Sequence, residues 1–171
     1  MRKVLITLLC AAAFLGAQAR RAPGFCLIDS TGQWHDLADY RGKLVILEFM
    51  QTTCPHCAAF ANILKEAQQK YGERIAIISM VTAPDSPATM VQYVNGHKLT
   101  YPVLFDQGQA MASYVRKNSL DFPTMYLIDA NGAIVGQYEY SEITKPVFEG
   151  RALFTELDRL VGGSSPLQKK K

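Results

Sequence analysis

The sequence predicts a single α/β domain in which helices cover both faces of a β-sheet. The run from Leu44 to Met50 is apolar except for Glu48, which is typical of a strand buried on both faces. Apolar residues then recur at helical spacing between residues 55 and 71, and a second apolar strand follows at residues 75–81. A length of 171 residues and a hydrophobic fraction of 49% indicate one domain with a buried core and exclude a disordered chain.

The first 19 residues have the features of a secretory signal peptide. Arg2 and Lys3 precede an uncharged apolar stretch, and Ala17-Gln18-Ala19 matches a small-residue cleavage site. The uncharged run is shorter than the roughly 20 residues that a membrane-spanning helix requires. We therefore expect cleavage and export, in a bacterium to the periplasm. The alternative is an uncleaved segment that anchors the chain to the membrane with its domain facing the periplasm.

The charge of the mature chain is close to zero. Two of the 18 basic residues leave with the signal peptide, which leaves a net charge of +1 against the 15 acidic residues. No basic face for nucleic acid is expected, nor is stable insertion of the mature chain into a membrane. Residues 162–171, which end in three lysines, are predicted to be a flexible basic tail, so the folded domain is predicted at 24–161.

The other elements follow from turn and cap signals. A small hairpin is predicted from an apolar run at 25–28, a turn at 29–32 and a second strand at 33–35. Pro55 begins the helix that Gly72 ends. The later elements are a helix capped by Ser86 and Pro87, a strand at 102–105, a short helix at 109–116, strands at 123–128 and 133–138 joined by Asn131-Gly132, and a last helix that follows Pro146 and ends before Gly162.

Three cysteines remain after export, because Cys10 leaves with the leader. Cys54 and Cys57 are separated by two residues, a spacing typical of redox or metal chemistry. Cys54 is predicted at the junction of strand and helix, where backbone N–H groups and the helix dipole favour a thiolate. Cys57, one turn later, is expected to be more buried, so that one cysteine attacks and the other resolves. Cys26 is expected to be a small buried residue.

Two further side chains are candidates for a supporting role. Glu48, six residues before Cys54, is predicted to lie beneath the active-site helix with a raised pKa and to exchange protons with Cys57. Its alternative role is an ion pair with Lys43 or Arg41. His56 lies between the cysteines and is predicted to favour the thiolate of Cys54; its alternative role is an exposed surface histidine.

A metal site is the alternative use of the same residues. Cys54, His56, Cys57 and Cys26 are all possible ligands, but no second C-x-x-C or H-x₃-H element accompanies them. Ala58 excludes covalent haem, because a histidine would have to follow the second cysteine. We therefore expect no metal and no cofactor.

These residues resemble the thioredoxin superfamily. Leu47-Glu48-Phe49 followed by Cys-Pro-His-Cys looks like its active site, with the dipeptide of the DsbA form. The frame looks like the TlpA/ResA group, on residues 39–43 before the strand and Phe122-Pro123-Thr124 after it. The resemblance implies a thioredoxin-like three-layer fold with a central mixed sheet, an N-terminal hairpin, and one extra helix between the active-site helix and the strand that a cis-proline opens.

The resemblance also implies site residues beyond the cysteines. Pro123 is expected to be cis and to face the cysteines, and Phe122 and Pro123 are expected to bind the substrate chain. The sequence departs from the group at Thr53, where many members have tryptophan, and at Phe60, where the ResA-type reductases have an acidic residue.

The predicted function is that of an exported thiol-disulfide oxidoreductase, most simply one that oxidises the thiols of substrate proteins. The first alternative is a TlpA/ResA-like disulfide reductase, for example in cytochrome c maturation. The second alternative is a metal-binding or assembly module whose cysteines do not cycle. The expected partners are proteins with thiols or disulfides and a redox partner in the membrane.

Overall fold

The computed structural model describes residues 20–115 and 121–163, which contain seven strands and five α-helices. The strands are β1 (Cys26–Ile28), β2 (Trp34–Asp36), β3 (Leu44–Met50), β4 (Ile75–Val81), β5 (Val103–Phe105), β6 (Thr124–Ile128) and β7 (Ile134–Glu139). The helices are α1 (Pro55–Tyr71), α2 (Pro87–His97), α3 (Gln109–Tyr114), α4 (Lys145–Phe148) and α5 (Arg151–Gly163). Short 3-10 helices lie at Leu37–Tyr40 and Gly72–Arg74.

The main sheet is mixed and has five strands in the order β5-β4-β3-β6-β7. The apolar strand β3 lies at its centre, parallel to β4 and antiparallel to β6. β1 and β2 form a separate two-stranded hairpin. The predicted fold is therefore confirmed: a mixed sheet between layers of helices, with an N-terminal hairpin and the extra helix α2 between α1 and β6.

Alternation along β3 divides the interior into two cores. Ile46 and Met50 face one core, which lies between the sheet and helices α1, α2, α4 and α5. Val45 and Leu47 face the other core, on the side of α3 and the N-terminal segment. Glu48 shares the parity of Ile46 and Met50, so it points into the core beneath α1.

The last predicted helix is two helices in the structure. Gly150 separates α4 from α5 with a φ of +91°, a conformation that side chains other than glycine rarely adopt. Apolar periodicity continues across the break because residues on both sides, Phe148 and Leu153, contact the same core. The predicted end before Gly162 is also wrong by two residues, since Gly162 and Gly163 form the last turn of α5, where glycine is tolerated.

Several predicted segments fall wholly or partly outside the described residues. These are the signal peptide at 1–19, the tail from residue 164 onward, and Arg116 at the predicted end of the short helix, which in the structure ends at Tyr114. Within 20–115 and 121–163, no helix combines the length and the apolar character needed to span a bilayer.

Candidate active site

Cys54 caps the N-terminus of α1, at the junction that the sequence predicted. Its Sγ accepts a hydrogen bond from the backbone N–H of Cys57 at 3.3 Å. The thiol also donates to the carbonyl oxygen of Phe122 at 3.6 Å. Pro55 occupies the first turn of the helix, where its missing N–H costs no intrahelical bond. The sulfur is half-buried and therefore open to a substrate on one side.

Cys57 lies one turn along the same helix and is fully buried. Burial raises the pKa of its thiol well above the ordinary value, and the nearby charge of Glu48 raises it further. Both Cys54 and Cys57 are free thiols in the structure. The pair thus consists of one accessible sulfur and one protected, protonated sulfur.

Glu48 lies in β3 beneath these cysteines, with 1% of its surface exposed. The hydroxyl of Ser79, its register neighbour on β4, donates to Oε2. The other oxygen, Oε1, has no hydrogen-bond partner among the described residues. Burial raises the pKa of Glu48 to about 7, and the bond from Ser79 only partly opposes this shift. The predicted raised pKa is confirmed, and the alternative ion pair with Lys43 or Arg41 is wrong.

The peptide bond between Phe122 and Pro123 is cis, as the resemblance implied. The carbonyl oxygens of these two residues have different partners. The carbonyl of Phe122 faces the sulfur of Cys54, and the carbonyl of Pro123 accepts a hydrogen bond from the N–H of Tyr140 at 3.0 Å. The loop that opens β6 is thereby fixed against both the active-site helix and the residue that follows β7.

His56 is exposed, and its ring stacks on that of Tyr140, with centroids 4.0 Å apart and planes 19° from parallel. Tyr140 packs in turn against Phe148 of α4. The sequence analysis missed Tyr140, because 84 residues separate it from His56 in the chain and only the return of β7 brings them together.

Asp85 was also missed. Its carboxylate accepts a hydrogen bond from the N–H of Thr52 at 3.0 Å and further bonds from the hydroxyls of Thr52 and Thr89. Thr52 lies two residues before Cys54, and Thr89 lies in the first turn of α2. Asp85 therefore ties the active-site loop to the start of the inserted helix. No local pattern marks such a contact in the sequence.

Cys26 does not belong to this site. It lies in β1 of the separate hairpin and is exposed, so the prediction that it is buried is wrong. The apolar residues around it predicted burial, but β1 turns Cys26 and Ile28 outward. Within the described residues, no three histidine, cysteine or acidic side chains are grouped so that they could hold a metal ion.

The fold and the site together define a thioredoxin-like thiol-disulfide oxidoreductase. An accessible sulfur at a helix N-terminus and a second sulfur one turn later are the pair that thiol-disulfide exchange uses, and the carboxyl group of Glu48 beneath them can exchange a proton during it. Similar proteins agree with this class. Residues 19–137 match the AhpC/TSA family, to which the chain therefore belongs.

Three of its relatives illustrate the family relationship. Thiol-disulfide oxidoreductase ResA of Bacillus anthracis is 33% identical over 131 residues, which cover 77% of this chain and 74% of ResA. Thioredoxin-like protein YneN of Bacillus subtilis is 29% identical over 119 residues, 68% of each chain. A solved structure from Chlorobium tepidum, described as a thiol:disulfide interchange protein DsbE, superimposes with a TM-score of 0.67 at 26% identity, over 80% of this chain and 95% of that one.

Proposed function

We propose that this enzyme is exported and that it reduces disulfide bonds of other exported proteins through Cys54 and Cys57. The oxidising direction was predicted from the Cys-Pro-His-Cys dipeptide. The relatives of the ResA and DsbE type instead favour the reducing alternative. Phe60, buried against Phe148, stands where the resemblance leads us to expect an acidic residue in ResA-type reductases, so the proposal extends to protein disulfides and not to a particular substrate.

The similarity to ResA, which extends over about three quarters of both chains, is the observation that carries the reducing direction. A dithiol enzyme becomes a strong oxidant when its active site stabilises the thiolate, because that stabilises the reduced form. Burial and the Glu48 charge both raise the pKa of Cys57, so this sulfur adds no such stabilisation.

The reaction then proceeds in two exchanges. The Cys54 thiolate attacks one sulfur of a substrate disulfide, and the other substrate sulfur leaves as a thiolate that takes a proton from water. Cys57 then gives its proton to the ionised Glu48 and attacks Sγ of Cys54. The Cys54–Cys57 disulfide forms, the mixed disulfide breaks, and the second substrate sulfur leaves as a thiolate. Two electrons have passed to the substrate, and a membrane redox partner must restore them.

The cis-proline loop supports substrate binding next to Cys54. An extended substrate chain needs backbone groups to pair with, and Phe122 and Pro123 present such groups at the sulfur. Tyr140 already occupies the carbonyl of Pro123, whereas the carbonyl of Phe122 loses its donor when the Cys54 thiol reacts, so we assign the pairing with substrate to Phe122. Pro55 and His56 are exposed directly after Cys54, in the first turn of α1.

A redox titration of Cys54 and Cys57 against thiol buffers of known poise tests the direction. A reductase should have a potential near that of thioredoxin, about −270 mV, whereas an oxidase should lie near that of DsbA, about −120 mV. A value close to the second figure would overturn the proposal and restore the oxidising prediction. Cys57→Ser tests the assignment of the attacking sulfur in either direction, because it should trap substrate proteins as mixed disulfides with Cys54 and Cys54→Ser should not.

Export is supported by the leader pattern of residues 1–19. N-terminal sequencing of the protein recovered from the periplasm or medium should give Arg20 as the first residue. Recovery of the uncleaved chain from the membrane fraction would instead establish the anchored alternative.

A further inference from the structure

Two tyrosines outside the reacting groups have buried hydroxyls next to Glu48. Tyr93 lies in the inserted helix α2, and Tyr101 lies two residues before β5. Both are at least nine-tenths buried, and neither hydroxyl has a hydrogen-bond partner among the described residues. Within residues 20–115 and 121–163, one other buried side-chain oxygen or nitrogen lacks a hydrogen-bond partner, and this atom is Oε1 of Glu48. Buried polar groups are nearly always paired, with protein or with ordered water.

The three atoms belong to one neighbourhood. Glu48 is hydrogen-bonded to Ser79, and the N–H of Ser79 donates to the carbonyl of Pro102, directly after Tyr101. The charge of Glu48 raises the pKa of both tyrosines beyond the effect of burial. The Ser79 hydroxyl lies close enough to lower the pKa of Tyr101, although the two hydroxyls lack hydrogen-bond geometry. Tyr93 is buried in the same core as Cys57, on the face of the sheet that α1 covers.

A cavity lies beside one member of this cluster. A surface cavity of about 380 Å³ is lined by Tyr101, together with Gln68 of α1 and Ile77 of β4. Ile77 precedes Ser79 by two residues and faces the same core, so the cavity adjoins the polar cluster. An internal water molecule is stable where it finds two to four polar partners, and Oε1 and the two hydroxyls supply three.

We propose that Tyr93 and Tyr101 are positioning residues for Glu48: their hydroxyls bind its Oε1 through internal water supplied from the cavity, and so decide whether Glu48 is ionised when Cys57 must release its proton. The consequence for Cys57 rests on the proposed function, whereas the hydrogen bonding itself does not. The inserted helix thus contributes directly to the chemistry beneath α1.

The other groups that face Glu48 could also change its ionisation. Ser79 faces it from β4, Cys57 from α1, Tyr93 from α2 and Tyr101 from the segment before β5. Met125, its register neighbour on β6, does not titrate. With both cysteines kept reduced in every sample, the tyrosine hydroxyls are the groups that the substitutions change.

Tyr93→Phe and Tyr101→Phe test the proposal, with Tyr126→Phe as the matched control. Each change removes one buried hydroxyl and keeps the ring, and Tyr93→Phe keeps the contact with His97. Tyr126 is equally buried, but its hydroxyl binds the carbonyl of Tyr114 on the opposite face of the sheet. The measurement is the titration of the Glu48 side-chain carboxyl by carbon-13 NMR in the reduced protein, with Glu48→Gln providing the assignment.

Loss of either active-site hydroxyl should lower the ionised fraction of Glu48 at a fixed pH below its midpoint by about threefold or more, because the carboxylate loses a donor. Tyr126→Phe should leave the titration unchanged. Wild-type titration in both folded variants would overturn the proposal. If a variant fails to fold, 3-fluorotyrosine at the same position keeps the hydroxyl and strengthens it as a donor. The midpoint should then move down, and an unmoved midpoint would again overturn the proposal.

The same data separate this proposal from the proposed function. The carboxyl titration needs no exchange activity, so a chain that reduces no disulfide would still show the shift. If the enzyme does reduce disulfides, the pH profile of its exchange rate should move in the same direction as the titration. A moved titration with an unmoved rate profile would overturn the link to Cys57.

Discussion

Two buried carboxylates, Asp29 and Glu48, show how differently the same fold treats the same charge. Asp29 in the hairpin turn accepts hydrogen bonds from Thr31, Gln33 and His35. Burial alone raises the pKa of Asp29, but these bonds outweigh it and lower the pKa to about 2. Glu48 has one donor, Ser79, and its pKa is raised to about 7. Asp29 has more donors and is less deeply buried than Glu48, and both differences favour its charged form.

The difference separates a structural site from a chemical one. His35 links Asp29 to Tyr40, because its Nδ1 lies 2.6 Å from the hydroxyl oxygen of Tyr40. These contacts fix the hairpin against the segment before β3. A carboxylate with a pKa near 2 keeps its charge across the physiological range and cannot accept a proton there. Glu48, by contrast, is about half ionised near pH 7, which suits a group that must take a proton and return it.

Glu48→Gln should have the largest effect. The folded protein holds the Glu48 proton more tightly than the unfolded chain, so it loses stability as the pH rises from about 4.5 to above 7. The variant lacks this loss and should be more stable than the wild type by about 3 kcal/mol at pH 8, with no such gain at pH 4. Urea unfolding at both pH values measures this.

Exchange should also be slower in Glu48→Gln, because Cys57 loses its proton acceptor. The matched control is Glu66→Gln, on the exposed side of α1, which should change neither stability nor rate. An unchanged pH dependence of unfolding in Glu48→Gln would show that Glu48 does not titrate in this range.

Asp29→Asn should act in the opposite sense. The folded-state pKa lies below the unfolded value of 3.8, so the contribution of Asp29 is present above pH 4 and is lost as the pH falls towards 2. We expect a loss of about 2 kcal/mol at pH 7 that shrinks at pH 2.5, with normal exchange activity. Asp129→Asn is the control. The Asp129 side chain accepts hydrogen bonds from backbone N–H groups in the β6–β7 turn, and the asparagine carbonyl can accept the same bonds. Equal effects at the two positions would contradict this account.

Asp85 extends the series to a carboxylate that is half-buried and has two threonine partners. Asp85→Asn weakens charge-assisted bonds to Thr52 and Thr89 and should lower the free energy of unfolding by about 1 kcal/mol. Because Thr52 leads into Cys54, alkylation of Cys54 should change in rate as well. Glu142→Gln, an exposed carboxylate beside Lys145, should change neither quantity. An unchanged alkylation rate with reduced stability would limit Asp85 to a structural role.

The smallest effect is expected at the exposed edge of the site. His56→Pro removes the imidazole and its stacking on Tyr140, and Tyr140→Leu removes the stacking alone. If the held imidazole favours the thiolate of Cys54, both should lower the redox potential, by about 20–30 mV for an interaction of about 1 kcal/mol. Tyr138→Leu, two residues away on β7, is the control. Identical potentials in the wild type and the three variants would show that His56 is an exposed surface histidine, which is the alternative role given in the sequence analysis.

The predictions that succeeded were those carried by local pattern. Glu48 was recognisable because it is the one ionisable residue in an apolar strand, and Cys54 and Pro55 mark a strand-to-helix junction by themselves. Pro123 came from the resemblance, since no local signal predicts a cis peptide bond there.

The predictions that failed, and the residues that were missed, depend on tertiary contacts. In the sequence, nothing distinguishes Tyr93, Tyr101 and Tyr140 from ordinary core or strand residues. Only the packing of α2 and the return of β7 bring them to the site. Gly150 breaks a helix whose apolar periodicity continues on both sides. Cys26 follows an apolar phenylalanine but lies on the outward face of a two-stranded hairpin that covers too little to bury it.

One carbon-13 spectrum series tests the central contrast most directly. The reduced protein, labelled at the side-chain carboxyl carbons of aspartate and glutamate, is titrated from pH 2 to pH 9, with Asp29→Asn and Glu48→Gln used to assign the two signals. The account predicts a midpoint of about 2 for Asp29 and about 7 for Glu48 in the same sample. A Glu48 midpoint near 4.5, the value of an ordinary glutamate, would contradict it.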